Sequence, residues 1–533
     1  MKYSVLLPNI FNHPFTYKSD EKLKVGQYVN VPFGNSIMTG LVWHKSQENV
    51  KKNFKLKYIK NIIKTPALNI KTIKFIEWFS EYNLVPLGMS LKLHLLSSEA
   101  VEEFEQIKYG YFNKKFNQSI FKFSDEQNNA LKNMQKNNQN FRVHLLQGVT
   151  GSGKTLVYFK SVLDKVNKGY QALILLPEIG LTFEFEKKFK EFFGFNPAIW
   201  HSAVSKKNKK IIWSGVANGK IKVVIGARSS LFLPFKNFGE IIVDEEHDQS
   251  FKQDEGVIYN ARDMAIARAK FENIPINLVS AVPSVETYQN IKNNKYSYTR
   301  LLKRYRDANL PKHEVIDLNK FKLPKKSFIS PLTKKKVEEH LQNGDQILFF
   351  INRRGYSPHA MCKNCLKVYV CPNCSINLVY HKIKNKFICH YCGLNLESER
   401  KCIEKNSCEF VFSGPGVEKI NEEVKNLFPH HKTQIFSSDT MKKKSSKEIL
   451  KNIIDNKINI LIGTQLISKG FHFPNLNCIV VLDIDLSTFG YDLRASEKNL
   501  QLYHQLSGRA GRAGKPAKVY FQTYDLNSKT IFN

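Results

Sequence analysis

A phosphate loop sets the frame for this chain. Gly148-Val149-Thr150-Gly151-Ser152-Gly153-Lys154-Thr155 fits the pattern G-x-x-x-x-G-K-S/T without a mismatch. Its setting is also right. Val143-His144-Leu145-Leu146-Gln147 reads as a buried strand, and a helical pattern begins at Leu156. Glycines at 148, 151 and 153 let the backbone turn its N–H groups toward phosphate oxygens, and the helix that starts there adds its positive end. Lys154 is then placed to neutralise β and γ phosphates, and Thr155 to hold Mg²⁺.

The chain around this loop alternates. From 123 to about 290, short apolar strands are expected at 143–147, 172–176, 223–225, 241–243 and 276–279, each followed by a loop and a helical stretch. A second set follows at 346–351, 410–413, 433–437, 458–462, 478–482 and 517–521. This is the pattern of parallel sheets covered on both faces, so an α/β fold is expected. Two successive α/β units with a phosphate loop only in the first suggest a two-lobed, nucleotide-driven motor. Residues 1–100 read differently. Val5-Leu6-Leu7, Tyr28-Val29-Asn30-Val31 and Gly40-Leu41-Val42-Trp43 are short runs separated by turn residues, which predicts a small β-rich domain. A helical stripe of Ile73, Ile76, Trp78 and Phe79 follows within 70–82 and is expected to be core. The polar stretch 101–122 reads as a linker, and 442–451 as a Lys/Ser-rich solvated helix surface.

Composition narrows the partners. The formal net charge is +34, which favours nucleic acid or another anionic surface. Heavy use of Lys, Asn and Ile throughout offers mutational bias as a second explanation, so charge alone does not decide. No run of about 18 apolar residues exists, and the N-terminus shows no cleavage pattern. Eight of the nine cysteines fall within 362–408, which points to metal binding in a reducing, cytoplasmic compartment.

Two further motifs suit phosphoryl transfer. Ile241-Ile242-Val243-Asp244-Glu245-Glu246-His247 ends a strand in acids, and ligands of open parallel sheets bind at the carboxyl ends of strands. Asp244 is placed to hold Mg²⁺ and Glu245 to orient the attacking water. Gly508-Arg509-Ala510-Gly511-Arg512 puts two arginines on a Gly-rich loop, where they can stabilise charge on a γ-phosphate. The cysteines form Cys362-x₂-Cys365, Cys371-x₂-Cys374, Cys389-x₂-Cys392 and Cys402-x₅-Cys408. Eight thiolates suffice for two tetrahedral Zn²⁺ sites, and spacing alone leaves open which pairs combine. Cys478 lies in an apolar strand and reads as core.

Taken together, these motifs resemble superfamily 2 helicases, and specifically the bacterial primosomal replication-restart helicases. The matching stretches run in order: Phe123-Ser124-Asp125-Glu126-Gln127, the loop at 148–155, Leu176-Pro177-Glu178-Ile179-Gly180-Leu181-Thr182 and Gly226-Ala227-Arg228-Ser229-Ser230. Asp244-Glu245-Glu246-His247-Asp248, Ser280-Ala281-Val282-Pro283-Ser284 and Asn352-Arg353-Arg354-Gly355-Tyr356 follow, and then Gly463-Thr464-Gln465-Leu466-Ile467-Ser468-Lys469-Gly470 and 508–512.

The resemblance implies two tandem RecA-like lobes, at 123–310 and at 311–360 with 410–533, a zinc-binding insertion at 361–409 and an N-terminal domain at 1–100 that binds DNA 3′ ends. By resemblance, Gln127 reads adenine and Gly470 belongs to the nucleotide site. Arg509 and Arg512 act as arginine fingers, and Phe251 and Tyr259 lie in an aromatic-rich loop that senses single-stranded DNA by stacking. It groups 362/365 with 402/408 and 371/374 with 389/392, and it places Phe15, Gly34 and Lys57 at the 3′-end pocket.

The sequence also departs from the family. Thr16 stands where the family has Asp, Val282 where it has Thr, and Lys405 where a zinc ligand is usual, with Cys408 displaced. Only residues 101–122 lie where a winged-helix domain is usual, and the sequence stops at Asn533, which reads either as a reduced form or as a chain ended early. The expectation is therefore a monomeric ATP-, Mg²⁺- and zinc-dependent 3′→5′ DNA helicase. It would act on forked and single-stranded DNA and restart replication with primosome and single-strand-binding proteins. The alternatives are a fork-binding scaffold with a weak or uncoupled motor, and an RNA-directed member of the superfamily.

Overall fold

A computed structural model describes residues 1–44, 56–95, 122–136, 140–177, 183–305, 309–324, 327–351, 359–362, 369–375, 378–381, 386–389, 391–397, 410–413, 416–436, 446–468, 473–482, 484, 494–511 and 515–526. Of the expected linker at 101–122 only the last residue is among these; of the stretch 442–451, 442–445 lie outside them and 446–451 belong to helix Ser446–Ile454. The chain divides into two units, 1–148 with 152–302, and 149–151 with 303–533. No described helix is long and apolar enough to cross a membrane.

The first unit contains a seven-stranded sheet. Its order is Ser297–Leu301, Arg142–Gly148, Pro275–Ser280, Phe238–Asp244, Gln171–Leu175, Val223–Gly226, Ala198–Trp200. Every neighbouring pair is parallel. Central strands alternate between two cores, as a sheet buried on both faces requires. Leu145, Leu173, Ile241, Val243 and Leu278 face one core, and Leu146, Ile174, Ile242, Ile225 and Val279 the other. All five expected strands are present. The two that sequence reading missed are the edges: Ala198–Trp200 is only three residues long, and Ser297–Leu301 is mostly exposed and so carries no continuous apolar run.

Residues 1–95 build an antiparallel sheet in the order Phe15–Lys18, Lys2–Leu6, Ser36–Val42, Tyr28–Phe33, Asn61–Ile62. The Phe33–Ser36 hairpin closes on two residues, which requires positive φ at the first, and Gly34 supplies it at +56°. Helix Ile70–Tyr82 starts where the Asn69 side chain accepts from the Thr72 amide at 2.7 Å.

Its apolar stripe is core, but not a core of its own domain. Phe75 and Phe79 pack on Phe232 with ring centroids 5.8 and 5.0 Å apart, inside the cluster that lines one face of the seven-stranded sheet. Phe75, which sequence reading left out, is fully buried, whereas Trp78 is only partly so.

Polar groups pin this joint. The fully buried Arg268 donates to Thr72 Oγ1 (3.0 Å) and Glu272 Oε1 (3.3 Å), and Thr72 donates to the same Glu272 oxygen (2.9 Å). Burial pushes His94 down to about 4, so the ring is neutral at neutral pH. Its Nδ1 then donates to Phe232 O (2.6 Å) and its Nε2 accepts from the Tyr28 hydroxyl (2.9 Å). Buried groups satisfied in this way fix a geometry that apolar contact alone leaves looser. The N-terminal sheet is thereby tied to the phosphate-loop sheet as one unit.

The second unit holds a six-stranded parallel sheet in the order Lys312–Asp317, Lys518–Thr523, Leu476–Val481, Gln346–Phe350, Ile460–Gly463, Thr433–Phe436. Two clusters cover its faces, and Cys478 is fully buried in one of them. The polar edge strand Lys312–Asp317 was missed in sequence. Phe410–Ser413, expected among the sheet strands, instead pairs antiparallel with His359–Cys362. The antiparallel strands Val379–His381, Lys386–Ile388 and Asn395–Glu397 lie between those two in sequence, outside the parallel sheet.

Candidate nucleotide site and metal centre

The phosphate loop joins strand Arg142–Gly148 to helix Lys154–Asn167. Gly151 and Gly153 take φ of +86° and +82°, where a side chain is strained. At Gly148 an added Cβ would lie 2.6 Å from Ser152 Oγ, so the tight turn itself excludes a side chain. Lys154 Nζ donates to Gly148 O at 2.7 Å, folding its ammonium back over the loop. Gln127 donates to Ser152 O (2.9 Å) and accepts from Ser124 N (3.0 Å) within a capping box. It is 1% exposed, so in this arrangement its amide braces the loop.

The acids stand at the same, carboxyl end of the sheet. Asp244 is level with Val279, and Val279 with Leu146, which places it two strands from the loop's own strand, about 9.6 Å at the usual spacing. Tyr158, on the helix that leaves the phosphate loop, donates to Asp244 Oδ2 at 2.8 Å. Sequence reading missed this residue because a tyrosine in a helical apolar stripe carries no motif. Burial first, and the Glu245 carboxylate second, push the Asp244 carboxyl up to about 7.

Glu245 has φ +51°, a left-handed conformation uncommon outside glycine and a form of strain that concentrates at functional sites. Its Oε2 is buried without a hydrogen-bond partner, with the His247 ring 3.7 Å away, and Ser152 Oγ is a second such atom.

These features fit Mg²⁺ with a nucleotide triphosphate. Loop N–H groups, Lys154 and an orphaned hydroxyl suit phosphate oxygens. A carboxyl held above its ordinary range suits a cation that would return it to the charged form.

In the second unit, Gly508–Gly511 follow helix Ala495–Ser507, and Arg509 is half-buried. The buried Arg304, also missed in sequence, donates to Ala510 O (3.0 Å) and Asn309 O (3.1 Å) and so holds this loop. Arg512 and Gly470 lie outside the described residues.

Among the described residues, Cys371, Cys374, Cys389 and Cys392 bring their sulfurs within 4.8 Å of one another. Cys371–Cys392 and Cys374–Cys389 are 3.6 and 3.4 Å apart. Four Zn–S bonds of about 2.3 Å give tetrahedron edges near 3.8 Å, so this set fits one structural zinc ion. Around it sits a small core of Tyr369, Leu378, Phe387 and Leu396. Cys365, Cys402 and Cys408 lie outside the described residues, and only the backbone of Cys362 is described.

On the N-terminal sheet, Phe15 stands among aromatic rings: His13 at 4.9 Å, Phe33 at 5.2 Å and Phe11 at 5.3 Å. Gly34 is exposed at the adjoining hairpin, and nothing lies within 4 Å of where its Cβ would be. Lys57 is exposed and its carbonyl accepts from Lys18 N at 2.9 Å, beside the Phe15 strand. Thr16 pairs with Ser4.

Phe251 and Tyr259 require a correction. They are 2% and 3% exposed, within the core that includes Phe79 and Phe232. Tyr259 meets those two rings at 5.4 and 5.9 Å. Neither has a face free for a base here, so packing explains both. The exposed apolar side chain of the segment is Ile258.

Comparison with known proteins agrees along the chain. Residues 4–95 match the family model for the 3′DNA-binding domain (3′BD) of PriA, and 124–291 that for the DEAD/DEAH box helicase. The PriA DNA helicase Cys-rich region (CRR) domain matches 371–395, and the helicase conserved C-terminal domain 384–514. The replication restart protein PriA of Rickettsia conorii is 43% identical, over 99% of this chain and 81% of that protein. That of Haemophilus influenzae is 40% identical over 72% and 52%, and that of Bacillus subtilis 37% over 76% and 51%.

Proposed function

Since the chain belongs to the replication restart protein PriA family, we propose that it is an ATP- and Mg²⁺-dependent DNA helicase that moves 3′→5′ and restarts replication at stalled or recombined forks. The observation that carries this reading is the Tyr158–Asp244 bond, which joins the helix of the phosphate loop to the strand that ends in acids.

In the proposed mechanism Lys154 and the loop amides hold the phosphates. Asp244 and Thr155 hold Mg²⁺, which supplies charge neutralisation during phosphoryl transfer. Glu245 orients the attacking water, and Arg509 and Arg512 supply positive charge for the transition state. Phe15, Gly34 and Lys57 form the pocket for a DNA 3′ end, where the rings around Phe15 offer stacking area. The remaining cysteines, 362, 365, 402 and 408, are proposed to hold a second zinc ion. Forked and single-stranded DNA, primosome proteins and single-strand-binding protein are the proposed partners of a cytoplasmic monomer. The scaffold reading is not favoured, because Lys154, Asp244 and Glu245 are all present at the carboxyl end of one sheet.

ATP turnover of wild type and Lys154→Ala, measured without nucleic acid and with single-stranded DNA, RNA or a fork carrying a 3′ end at its branch, tests this. The expected result is stimulation by DNA over RNA, greatest on the fork and absent in the variant. Stimulation by RNA alone would overturn it.

A further inference from the structure

At the opposite end of the phosphate-loop strand, the first unit opens a cleft of about 1190 Å³. Arg142 begins the strand that Gly148 ends, so about six residue steps, roughly 20 Å, separate the cleft from the phosphate loop. Lys71, Arg142, Lys165 and Lys168 line it, against one acid, Glu272. Glu272 is already paired with the buried Arg268 at 3.3 Å. Arg142 directs Nη2 to the carbonyls of Asn133 and Met134 (3.0 and 2.6 Å), and Lys71 directs Nζ to Glu272 O (2.9 Å). Carbonyl oxygens satisfy these donors without cancelling their charge, and Arg142 Nε is buried with no partner.

A helix end alone would repel an anion here. Lys165 lies in the last turn of helix Lys154–Asn167 and Lys168 is its C-cap, beside the negative end of the helix dipole. Two lysines make that end positive instead. Near Lys165, burial pushes the Glu240 carboxyl up to about 7, so at neutral pH it carries only part of a negative charge. An aromatic ring completes the lining. Tyr170 is 45% exposed and rests against Gly239, where an added Cβ would stand 2.9 Å from the tyrosine Cγ. The Lys165 ammonium is 5.8 Å from its ring centroid. An exposed ring held beside clustered cations suits a planar base joined to phosphates.

We propose that this cleft is a second nucleotide-binding site, distinct from the phosphate loop, in which Arg142, Lys165 and Lys168 meet the phosphates and the Tyr170 ring takes the base. A free nucleoside polyphosphate and the phosphorylated end of a DNA strand share that chemistry. Sites for small ligands hold roughly 300–1,000 Å³, so a nucleotide fits this cleft with room for water. The site lies wholly within the first unit and does not depend on the helicase reading.

The test uses the full chain carrying Lys154→Ala, which disables the phosphate loop. Titration calorimetry reads the binding of GTP, inorganic tripolyphosphate and a 5′-phosphorylated tetrathymidylate, and thermal melting reports folding. Each titration is repeated with Lys165→Gln plus Lys168→Gln, with Tyr170→Leu, which keeps bulk against Gly239, and with the surface change Lys168→Glu. The paired lysine changes are expected to weaken nucleotide binding about tenfold. Tyr170→Leu is expected to weaken it about tenfold as well, while tripolyphosphate binding stays as it was. If these changes weaken GTP alone, the ligand is a free nucleotide; if they weaken the oligonucleotide alone, it is a strand end; weakening of either or both supports the site. No binding of either, or affinities that none of the changes alters, would overturn the proposal. A loss with the lysines but none with Tyr170→Leu would overturn the assignment to nucleotides and leave a bare anion site. If the paired variant does not fold, Lys168→Glu decides on the same terms. Absence of ATP turnover in the chain with Lys154 intact would overturn the helicase reading and leave this one standing.

Discussion

Glu245→Gln is expected to lower ATP turnover about a thousandfold while nucleotide binding stays close to wild type. Glutamine keeps the length and hydrogen-bonding shape of the side chain but cannot take a proton or orient water through a charged oxygen. The residue sits at φ +51° with one buried oxygen unpartnered, and such strain is held only where the surroundings over-determine it. The neighbours that hold it, Glu246 and His247, are unchanged by the substitution, so the fold persists. Single-turnover hydrolysis and binding of a fluorescent nucleotide separate the two effects. Loss of binding together with turnover would mean that Glu245 holds the nucleotide rather than the water. Lys154→Ala is expected to give that other pattern, because its ammonium is the loop's only side-chain cation.

Cys389→Ser is expected to cost one zinc equivalent per chain and to unfold the small module around it. Metal binding to such sites is worth about 10–16 kcal/mol, far more than a core of Tyr369, Leu378, Phe387 and Leu396 supplies on its own. Cys389 is fully buried at the centre of that core, so a hydroxyl there cannot be accommodated as a solvated substitute. The six-stranded sheet contains none of the module's strands. DNA-stimulated ATP turnover is therefore expected to survive within about threefold, with the loss falling on strand separation. Metal content by atomic absorption and strand displacement from a fork check both halves. Unchanged zinc content would contradict the assignment of this cluster.

How much of this was legible in the sequence depends on which interactions leave a local trace. Buried parallel strands do, because both faces are apolar, and the expected central strands of both sheets are where the runs placed them. Edge strands such as Ser297–Leu301 and Lys312–Asp317 do not, because solvent allows them polar residues. The phosphate loop, the acids and the clustered cysteines are legible because their chemistry demands particular residues at fixed spacing.

Tyr158, Arg268 and Arg304 escaped, since each acts on a partner distant in sequence. Arg268 reaches Thr72 across 196 residues, and nothing local in either marks the bond. For the same reason the stripe on helix Ile70–Tyr82 reads as core in the sequence without revealing its partner. That partner is the phosphate-loop lobe, through Phe232 and Tyr259. Phe251 and Tyr259 show the opposite error. The resemblance places them in a loop that stacks bases, and only burial reveals that packing has already claimed them.

The central claim is that ATP hydrolysis at Lys154, Asp244 and Glu245 drives DNA strand separation. Its most direct test is displacement of a labelled strand from a synthetic fork with a 3′ end at the branch, by wild type and Glu245→Gln in parallel. Wild type is predicted to release the strand with ATP and not with ADP, and Glu245→Gln to bind the fork without releasing it. Equal release by both proteins, or release without ATP, would contradict the account.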